Sequence, residues 1–309
     1  MEQLSLFSEQ NIHKNTYTAN LRKFRLDKAL NDLQILERTF NPPSSLNEKM
    51  QALQQLIDVL PEKKEAQILF LANLRKDASL PAFLQPLAED FHFLRQGIDK
   101  RLYDLLDKTE YEFIVEGVHP AEIFISQNDF QNALQVVEKY FATYGEHAYL
   151  RQLHGFALWQ SGEKNRAYYD FTFALFDGPA QCRLTFLAPK TYRNKFSYLV
   201  AKLGNAEKAL LRLPFALWLD GQTYIDAENE QFEQRMRQKS EGYAQIPTSS
   251  DEILERFNTL LYLAEVLRLR AAPRHPGREF ETLQEKMQAL HLEYFRQYYE
   301  TLKRFRNIA

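Results

Sequence analysis

Glycine, cysteine and long apolar runs are scarce in this chain of 309 residues. There are ten glycines, the first of them Gly97, and one cysteine, Cys182. A single cysteine excludes an intrachain disulfide and any metal cluster built from several cysteines, so we predict that Cys182 is a packing thiol. No run of about 18 apolar residues occurs, and the N-terminus lacks the basic and apolar segments of a secretion signal. These absences predict a soluble, cytoplasmic protein that does not enter a membrane.

Motifs for catalysis or for cofactor binding are also missing. The seven histidines include no His-Glu-x-x-His pair, and no glycine-rich phosphate loop, Gly-x-Ser-x-Gly elbow or Ser-x-x-Lys motif is present. We therefore predict no enzyme activity, no cofactor and no metal site. His154 is expected to pack inside a helical hairpin and His147 to lie at a helix start. The formal net charge of −2 shows no overall basic bias, so any nucleic-acid contact would be local.

Helical periodicity covers most of the chain. Apolar residues recur at intervals of three and four, prolines lie at segment boundaries, and no alternating Val/Ile/Thr run suggests a sheet. The pattern predicts an all-α fold. Outside the central region, the expected helices span about residues 17–40, 45–60, 62–77, 81–107 and 280–306, with a further helix beginning after Ser249.

Small residues repeat in the stretch 148–181, at intervals that let two antiparallel helices approach closely around one tight turn. The same spacing occurs thirty-four residues earlier and again after an insertion of eight residues. We could assign that insertion, 182–189, only as a loop or a short helix. The three sets are Ala121, Asn128, Ala133 and Tyr140; Gly155, Gly162, Ala167 and Ala174; and Ser197, Gly204, Ala209 and Ala216.

This repeat resembles the tetratricopeptide (TPR) family, through Gly155, Leu158, Ala167, Phe171, Ala174 and Pro179. Arg151 and His154 depart from it, because they stand where the family usually has Trp and Leu. The resemblance covers residues 114–221 and implies an α-solenoid of stacked helix pairs that binds proteins on its concave face. It predicts four segments: a flexible tail at 1–14, divergent hairpins at 15–113, TPR-like repeats at 114–221 and a helical capping region at 222–309.

The N-terminal segment contains an apolar pentapeptide, Gln3-Leu4-Ser5-Leu6-Phe7, in polar surroundings. It resembles the peptide by which bacterial replication and repair proteins bind the DNA polymerase sliding clamp. In an extended segment, Leu4 and the Leu6-Phe7 pair can fill adjacent pockets while the Gln3 amide makes orienting hydrogen bonds. The resemblance implies that Gln3, Leu4, Leu6 and Phe7 are the anchors and that Ser5 is a tolerant spacer. The same apolar residues could instead pack on Leu21 and Phe24 of the chain's own first helix.

These patterns lead to three functional hypotheses. The first is an adaptor that binds protein partners and is recruited to the sliding clamp in DNA replication, repair or defence. The second is a scaffold of an unrelated complex, with its tail packed on the body and a groove lined by Tyr149, Gln152 and Tyr168. The third is a helical protein that contacts nucleic acid through four arginines in a segment interrupted by Pro and Gly: Arg268, Arg270, Arg274 and Arg278. These arginines could instead satisfy the carbonyls at helix ends and pair with Glu265, Glu279 and Glu281.

Overall fold

The computed structural model of the chain is made of α-helices. It describes residues 2–40, 45–76, 80–243, 247, 249–272 and 276–308, and their side chains except those of residues 2–9, 40 and 305–308. Within these ranges there is no β-strand, and the only β-type pairing is an isolated bridge between Val115 and Val118. The prediction of an all-α fold is confirmed.

The helices form two compact units, Met1–Tyr140 and Phe141–Ala309. The boundary lies inside one helix of the predicted repeat region. Short 3₁₀ segments occur at Ala82–Asp90, Pro179–Gln181 and Leu184–Phe186. In chain order the α-helices of the described ranges are α1 (Glu2–Arg22), α2 (Leu26–Phe40), α3 (Ser45–Val59), α4 (Lys64–Lys76), α5 (Phe91–Leu105), α6 (Pro120–Ser126), α7 (Phe130–Tyr144), α8 (Ala148–Gln160), α9 (Lys164–Asp177), α10 (Lys190–Leu203), α11 (Ala206–Leu219), α12 (Glu230–Glu241), α13 (Ser250–Ala271), α14 (Arg278–Leu290) and α15 (Leu292–Ile308).

The first unit begins with two helices where the sequence predicted one. Helix α1 starts at Glu2, so its backbone includes the segment predicted to be a non-helical tail, and it ends at Arg22. A reversal at residues 23–25 separates it from α2, because Phe24 adopts a left-handed backbone with φ of 53°. No glycine or proline marks this break, which is why a continuous stripe over 17–40 was the natural prediction.

A buried arginine connects helices of the first unit. The side chain of Arg75 on α4 is 7% exposed, and its guanidinium contacts Asp99 on α5 at 2.5 Å and Glu122 on α6 at 2.8 Å. Burial opposes the charged form of Arg75, yet the two carboxylates raise its pKa above the ordinary value. Three helices are therefore tied together at one point by paired charges.

Three consecutive helix pairs, α6–α7, α8–α9 and α10–α11, turn at corresponding positions of the repeat. Their turns contain Asn128, Gly162 and Gly204, which have φ values of 59°, 92° and 66°. Glycine adopts this left-handed conformation without steric cost, and asparagine adopts it more readily than most residues. The alanines that follow at 133, 167 and 209 are all buried. The spacing noted in the sequence thus corresponds to recurring left-handed turns between consecutive helices, while membership of the TPR family stays a prediction.

The second unit has an aromatic core around α13. Helix α13 begins at the predicted cap, where the Ser249 hydroxyl accepts the Glu252 N–H. The single helix predicted over 280–306 is instead two, α14 and α15. His291 between them has an extended backbone, and its ring Nδ1 accepts the N–H of Tyr294 at 3.2 Å. A histidine that caps a helix in this way is not among the usual sequence signals for a break.

No helix in the described ranges is both long and apolar enough to cross a membrane.

Candidate functional site

The predicted clamp-binding residues Gln3, Leu4, Leu6 and Phe7 lie in the first two turns of α1. Their side chains fall outside the described part of the structure. Further along the helix, five of the six residues at 11–16 are exposed, and Ile12 is 56% exposed. The stretch just beyond the pentapeptide therefore makes little packing contact with the rest of the unit.

Among the residues whose side chains are described, the buried contacts of helix α1 lie near its C-terminal end. Tyr17 is buried, and its hydroxyl donates to the Asp90 carboxylate at 3.1 Å. One turn later the Asn20 amide donates to Asp32 at 2.8 Å. Phe7 precedes Tyr17 by ten positions, which at the helical rise of about 1.5 Å per residue separates them by roughly 15 Å along the axis. The pentapeptide is thus well removed from the part of α1 that holds the helix in place.

The four arginines proposed for nucleic-acid contact differ in their surroundings. Arg268 donates from both Nε and Nη2 to Glu265, whose side chain is 3% exposed. Arg270 pairs with Glu233 at 2.5 Å, and its Nε donates to the carbonyl of Ala227 at 2.6 Å. Two of the four positive charges are therefore compensated by carboxylates that are themselves buried.

The other two arginines of this set are separated from that pairing. Arg274 lies outside the described residues. Arg278 begins helix α14, and its carbonyl accepts the hydroxyl of Thr282 at 3.0 Å. Glu279, which the sequence suggested as an arginine partner, binds Arg237 of α12. The described part of the arginine segment contributes mainly to packing α12, α13 and α14.

The face of α8 that was expected to line an open groove is covered by the chain itself. Gln152 is fully buried, and its amide donates to the Arg183 carbonyl and accepts the Arg183 N–H, both at 2.8 Å. The Phe186 ring lies against Tyr149 at 6.4 Å between centroids. The insertion predicted only as a loop or short helix thus occupies this face. The suggestion that Tyr149 and Gln152 face an open groove is wrong.

Tyr168, the third residue of that suggestion, belongs to an aromatic cluster on α9. Its ring stacks on Tyr224 with centroids 4.2 Å apart and meets the edge of Trp159 at 5.5 Å. The backbone of Tyr224 is also bound to α9, because its N–H donates to the Thr172 hydroxyl at 3.1 Å. Tyr224 is still 42% exposed, so the cluster presents part of an aromatic surface to solvent.

Arg151 and His154, the two departures from the repeat pattern, share one partner. The Asp170 carboxylate on α9 binds Arg151 through Oδ1 at 2.8 Å and His154 through Oδ2 at 2.6 Å. The Arg151 guanidinium also lies over the rings of Phe141 and Phe173, at 4.8 and 5.1 Å from their centroids. A polar triad of Arg151, His154 and Asp170 thus lies between the helices of this hairpin. Sequence reasoning noted the two residues but had no signal for Asp170 as their partner.

Close backbone approach accompanies this triad. A Cβ atom added at Gly155 would lie 2.9 Å from the Asp170 Cβ and 3.2 Å from the Ala167 carbonyl. The prediction that His154 packs inside the hairpin is confirmed, since it is 5% exposed, and His147 is the residue just before α8, as predicted. Burial lowers the pKa of His147 below the ordinary value. The surroundings of both histidines are consistent with a role in packing.

Beside the triad lies a small cavity of about 100 Å³. It is lined by polar and aromatic side chains of α8, α9, α12, α13 and the loop after α11. Each Asp170 oxygen is already bonded to Arg151 or His154, so this carboxylate is engaged within the protein. The remaining carboxylate at the cavity, Asp226, accepts the N–H of Glu228 at 3.0 Å. Both carboxylates that line the cavity thus accept hydrogen bonds within the protein.

Metal binding and thiol chemistry find no support among the residues that the structure describes. In those ranges no group of three or more His, Cys, Asp or Glu side chains is placed to hold a metal ion. Cys182 is 4% exposed, as predicted for a packing thiol, and burial raises the pKa of its thiol far above the ordinary value.

Comparisons with protein-family models, with curated proteins and with solved structures find no match to this chain.

Proposed function

We propose that the chain is a non-enzymatic helical adaptor that is recruited to a bacterial DNA polymerase sliding clamp through residues 3–7. The observation that carries the proposal is the pentapeptide Gln3-Leu4-Ser5-Leu6-Phe7 at the N-terminal end of α1. The residues that follow it in the helix, 11–16, are mostly exposed. A short linear motif has to be reachable by its partner. Recruitment of this kind would give the protein a role in DNA replication, repair or genome defence.

Docking in an extended form requires the first two turns of α1 to unwind. The first N–H groups of a helix have no carbonyl partner within it, and helix ends fray at low free-energy cost. Because Tyr17 lies about two and a half helical turns beyond residue 8, unwinding residues 2–8 leaves the Tyr17–Asp90 hydrogen bond intact. Burial of Leu6 and Phe7 in clamp pockets, worth about 1.5 kcal/mol or more for each side chain, would offset that cost.

The helical body supplies the second part of the adaptor hypothesis. Its second unit exposes tyrosines on or beside the repeat hairpins, among them Tyr169 at 45%, Tyr198 at 58% and Tyr224 at 42%. Tyrosine is enriched at protein interfaces, because it combines a large apolar surface with a hydroxyl group. These side chains support a protein-binding role for the body. Contact with nucleic acid through Arg268 and Arg270 has less support, because Glu265 and Glu233 compensate their charges.

The experiment measures binding of the full chain to an immobilised bacterial sliding clamp by biolayer interferometry. The test variant carries Leu6→Ala and Phe7→Ala. Loss of two buried side chains should weaken binding by roughly a hundredfold or more. The matched control is Ile12→Ala, which removes an exposed apolar side chain of the same helix outside the motif and should bind like the parent protein.

Two results would contradict this function. Absence of clamp binding by the parent chain is one, and it would leave the hypothesis of a scaffold in an unrelated complex. Equal binding by the parent and the Leu6→Ala, Phe7→Ala variant is the other. Far-UV circular dichroism of each variant separates loss of binding from loss of helical structure.

A further inference from the structure

The corner between α1 and α2 concentrates basic side chains. Arg22, Lys23, Arg25 and Lys28 lie within seven residues, and all four are exposed. The same stretch contains one acidic residue, Asp27. Sequence reasoning did not single out this cluster, because Phe24 and its neighbours were assigned to the interior of a continuous helix. The reversal at Phe24 instead places the basic residues on a turn.

The turn is held rigidly against α5. Its reversal is closed by backbone hydrogen bonds from the Phe24 N–H to the Leu21 carbonyl at 3.0 Å and from the Arg25 N–H to the Asn20 carbonyl at 2.9 Å. Gly97 of α5 sits so close that an added Cβ would lie 2.0 Å from the Leu21 carbonyl oxygen. This close approach brings the basic residues of α5 next to those of the turn.

Two recesses flank Lys23. One, of about 250 Å³, is also lined by Arg25 and by Arg101 of α5. The other, of about 370 Å³, is also lined by Arg22 and by Lys100 of α5. Five basic side chains from two elements therefore surround a pair of adjacent depressions that share one lysine.

Most of these positive charges lack a carboxylate partner in the described part of the chain. The Arg22 guanidinium lies over the ring of Phe93 at 4.4 Å from its centroid, and Arg101 donates to the neutral amide of Gln67 at 3.0 Å. Lys23 and Arg25 make no side-chain hydrogen bond or ion pair with any described residue. Lys100 is the exception, since it binds Asp104.

Three carboxylates line the recesses: Asp27 is exposed in the first of them, and Asp99 and Asp104 are engaged in ion pairs. Asp99 pairs with Arg75 and Asp104 pairs with Lys100, each at 2.5 Å. Burial raises the pKa of Asp99 above the ordinary value for aspartate, against the opposing effect of Arg75. The surface around Lys23 therefore has an excess of positive charge, although the whole chain has a formal net charge of −2.

We propose that this surface, formed by Arg22, Lys23, Arg25 and Arg101, binds the phosphodiester backbone of a nucleic acid. Unpaired basic groups gain salt-dependent affinity when they replace the counterions of phosphates. Neutral donors suited to phosphate and sugar oxygens also line the second recess, among them Gln96 and Gln127. A chain of phosphates can follow two adjacent recesses, whereas a lipid surface is flat and favours exposed apolar side chains, of which none lines either recess.

The test is fluorescence anisotropy of the full chain with a labelled oligothymidine of about twenty nucleotides and with a duplex of similar length. Salt is varied from about 50 to 200 mM, and the slope of log affinity against log salt is compared between proteins. The variant Arg22→Gln, Lys23→Gln, Arg25→Gln should lose at least tenfold in affinity at low salt. Its salt slope should become shallower by about two to three, roughly one for each lost contact.

The matched control removes three exposed positive charges of α10, none of which lines either recess: Lys190→Gln, Arg193→Gln, Lys202→Gln. It should bind nucleic acid like the parent. Equal losses in both triple variants would mean diffuse attraction and would overturn the proposal, as would the absence of binding to either probe by the parent chain. Thermal unfolding of each variant verifies that the fold is retained.

This inference stands independently of clamp recruitment. The Leu6→Ala, Phe7→Ala variant should bind the oligonucleotide like the parent, and the Arg22→Gln, Lys23→Gln, Arg25→Gln variant should bind the clamp like the parent. Failure of one interaction therefore leaves the other measurable.

Discussion

Two basic clusters of similar density occur in different units of the chain, and they have opposite surroundings. Around residues 268–278, Arg268 and Arg270 bind Glu265 and Glu233, whose side chains are 3% and 10% exposed. Around residues 22–28, Lys23 and Arg25 have no acidic partner among the described residues. A run of basic residues in the sequence does not distinguish these cases, because the partner carboxylate comes from another helix. An arginine that faces a buried carboxylate of another helix has a structural role, whereas an exposed arginine without such a partner is a candidate for ligand binding.

The largest expected effect concerns a paired charge in the second unit. Replacing Asp170 with Ala leaves the buried His154 without its carboxylate partner, while Arg151 keeps its ion pair with Glu146, and a buried polar group left without its partner is strongly unfavourable. We expect a loss of about 3 kcal/mol in the free energy of unfolding, measured by urea titration. Asp226→Ala is the control, because it removes an exposed carboxylate from the same cavity and should change stability by less than about 0.5 kcal/mol. Equal stabilities of the two variants would show that the triad is not a stabilising contact.

A somewhat smaller effect is expected at Glu265. Its replacement by Ala removes the partner of Arg268, whose side chain is 28% exposed and can be partly hydrated after the change. We expect a loss of about 1 to 2 kcal/mol in the free energy of unfolding. Chemical denaturation of the parent and the variant measures it. A difference within experimental error would mean that the pairing is no stronger than an ordinary surface ion pair.

The difference between the two basic clusters can also be tested by removing the negative charges of Glu265 and Glu233, the partners of Arg268 and Arg270, at the same time. Glu233→Gln together with Glu265→Gln keeps side-chain size and hydrogen-bonding capacity but leaves Arg268 and Arg270 uncompensated. Affinity for the labelled oligonucleotide at low salt should rise about threefold to fivefold, since two free cations can then contact phosphates. Unchanged affinity would indicate that these arginines are sterically unable to reach a ligand, whatever their charge balance.

The smallest expected effect is the stability change on removing the unpaired cluster. Arg22→Gln, Lys23→Gln, Arg25→Gln should alter the free energy of unfolding by no more than about 0.5 kcal/mol, because exposed and unpaired side chains contribute little to folding. Thermal and urea unfolding measure this. A loss above about 2 kcal/mol would assign these residues a structural role like that of Arg268.

The helical secondary structure and the apolar positions of the core were predictable from the sequence, because burial in an all-α protein follows the spacing of apolar residues. Leu33, Leu53 and Leu102, for example, belong to predicted stripes and are at most 1% exposed. Two breaks were not predictable. Phe24 and His291 interrupt helices without glycine or proline: Phe24 adopts a left-handed backbone, and the His291 ring accepts an N–H at the start of α15.

The candidate sites were less accessible to sequence reasoning than the fold. Tyr149 and Gln152 have suitable spacing for an open face, but a segment thirty residues further along covers them. The fit of that segment depends on non-local packing, which periodicity does not encode. The pentapeptide at residues 3–7 is a local pattern, and its role as a clamp ligand stays a prediction. The basic turn at 22–25 required knowledge of a reversed backbone and of α5 beside it.

Gln152 recognises residue 183 only through its N–H and carbonyl groups. These two hydrogen bonds involve only the main chain of residue 183, whereas its guanidinium lies over the Tyr149 ring at 4.5 Å from the centroid. A substitution at position 183 would therefore remove the contact with the ring and leave both main-chain bonds to α8 in place.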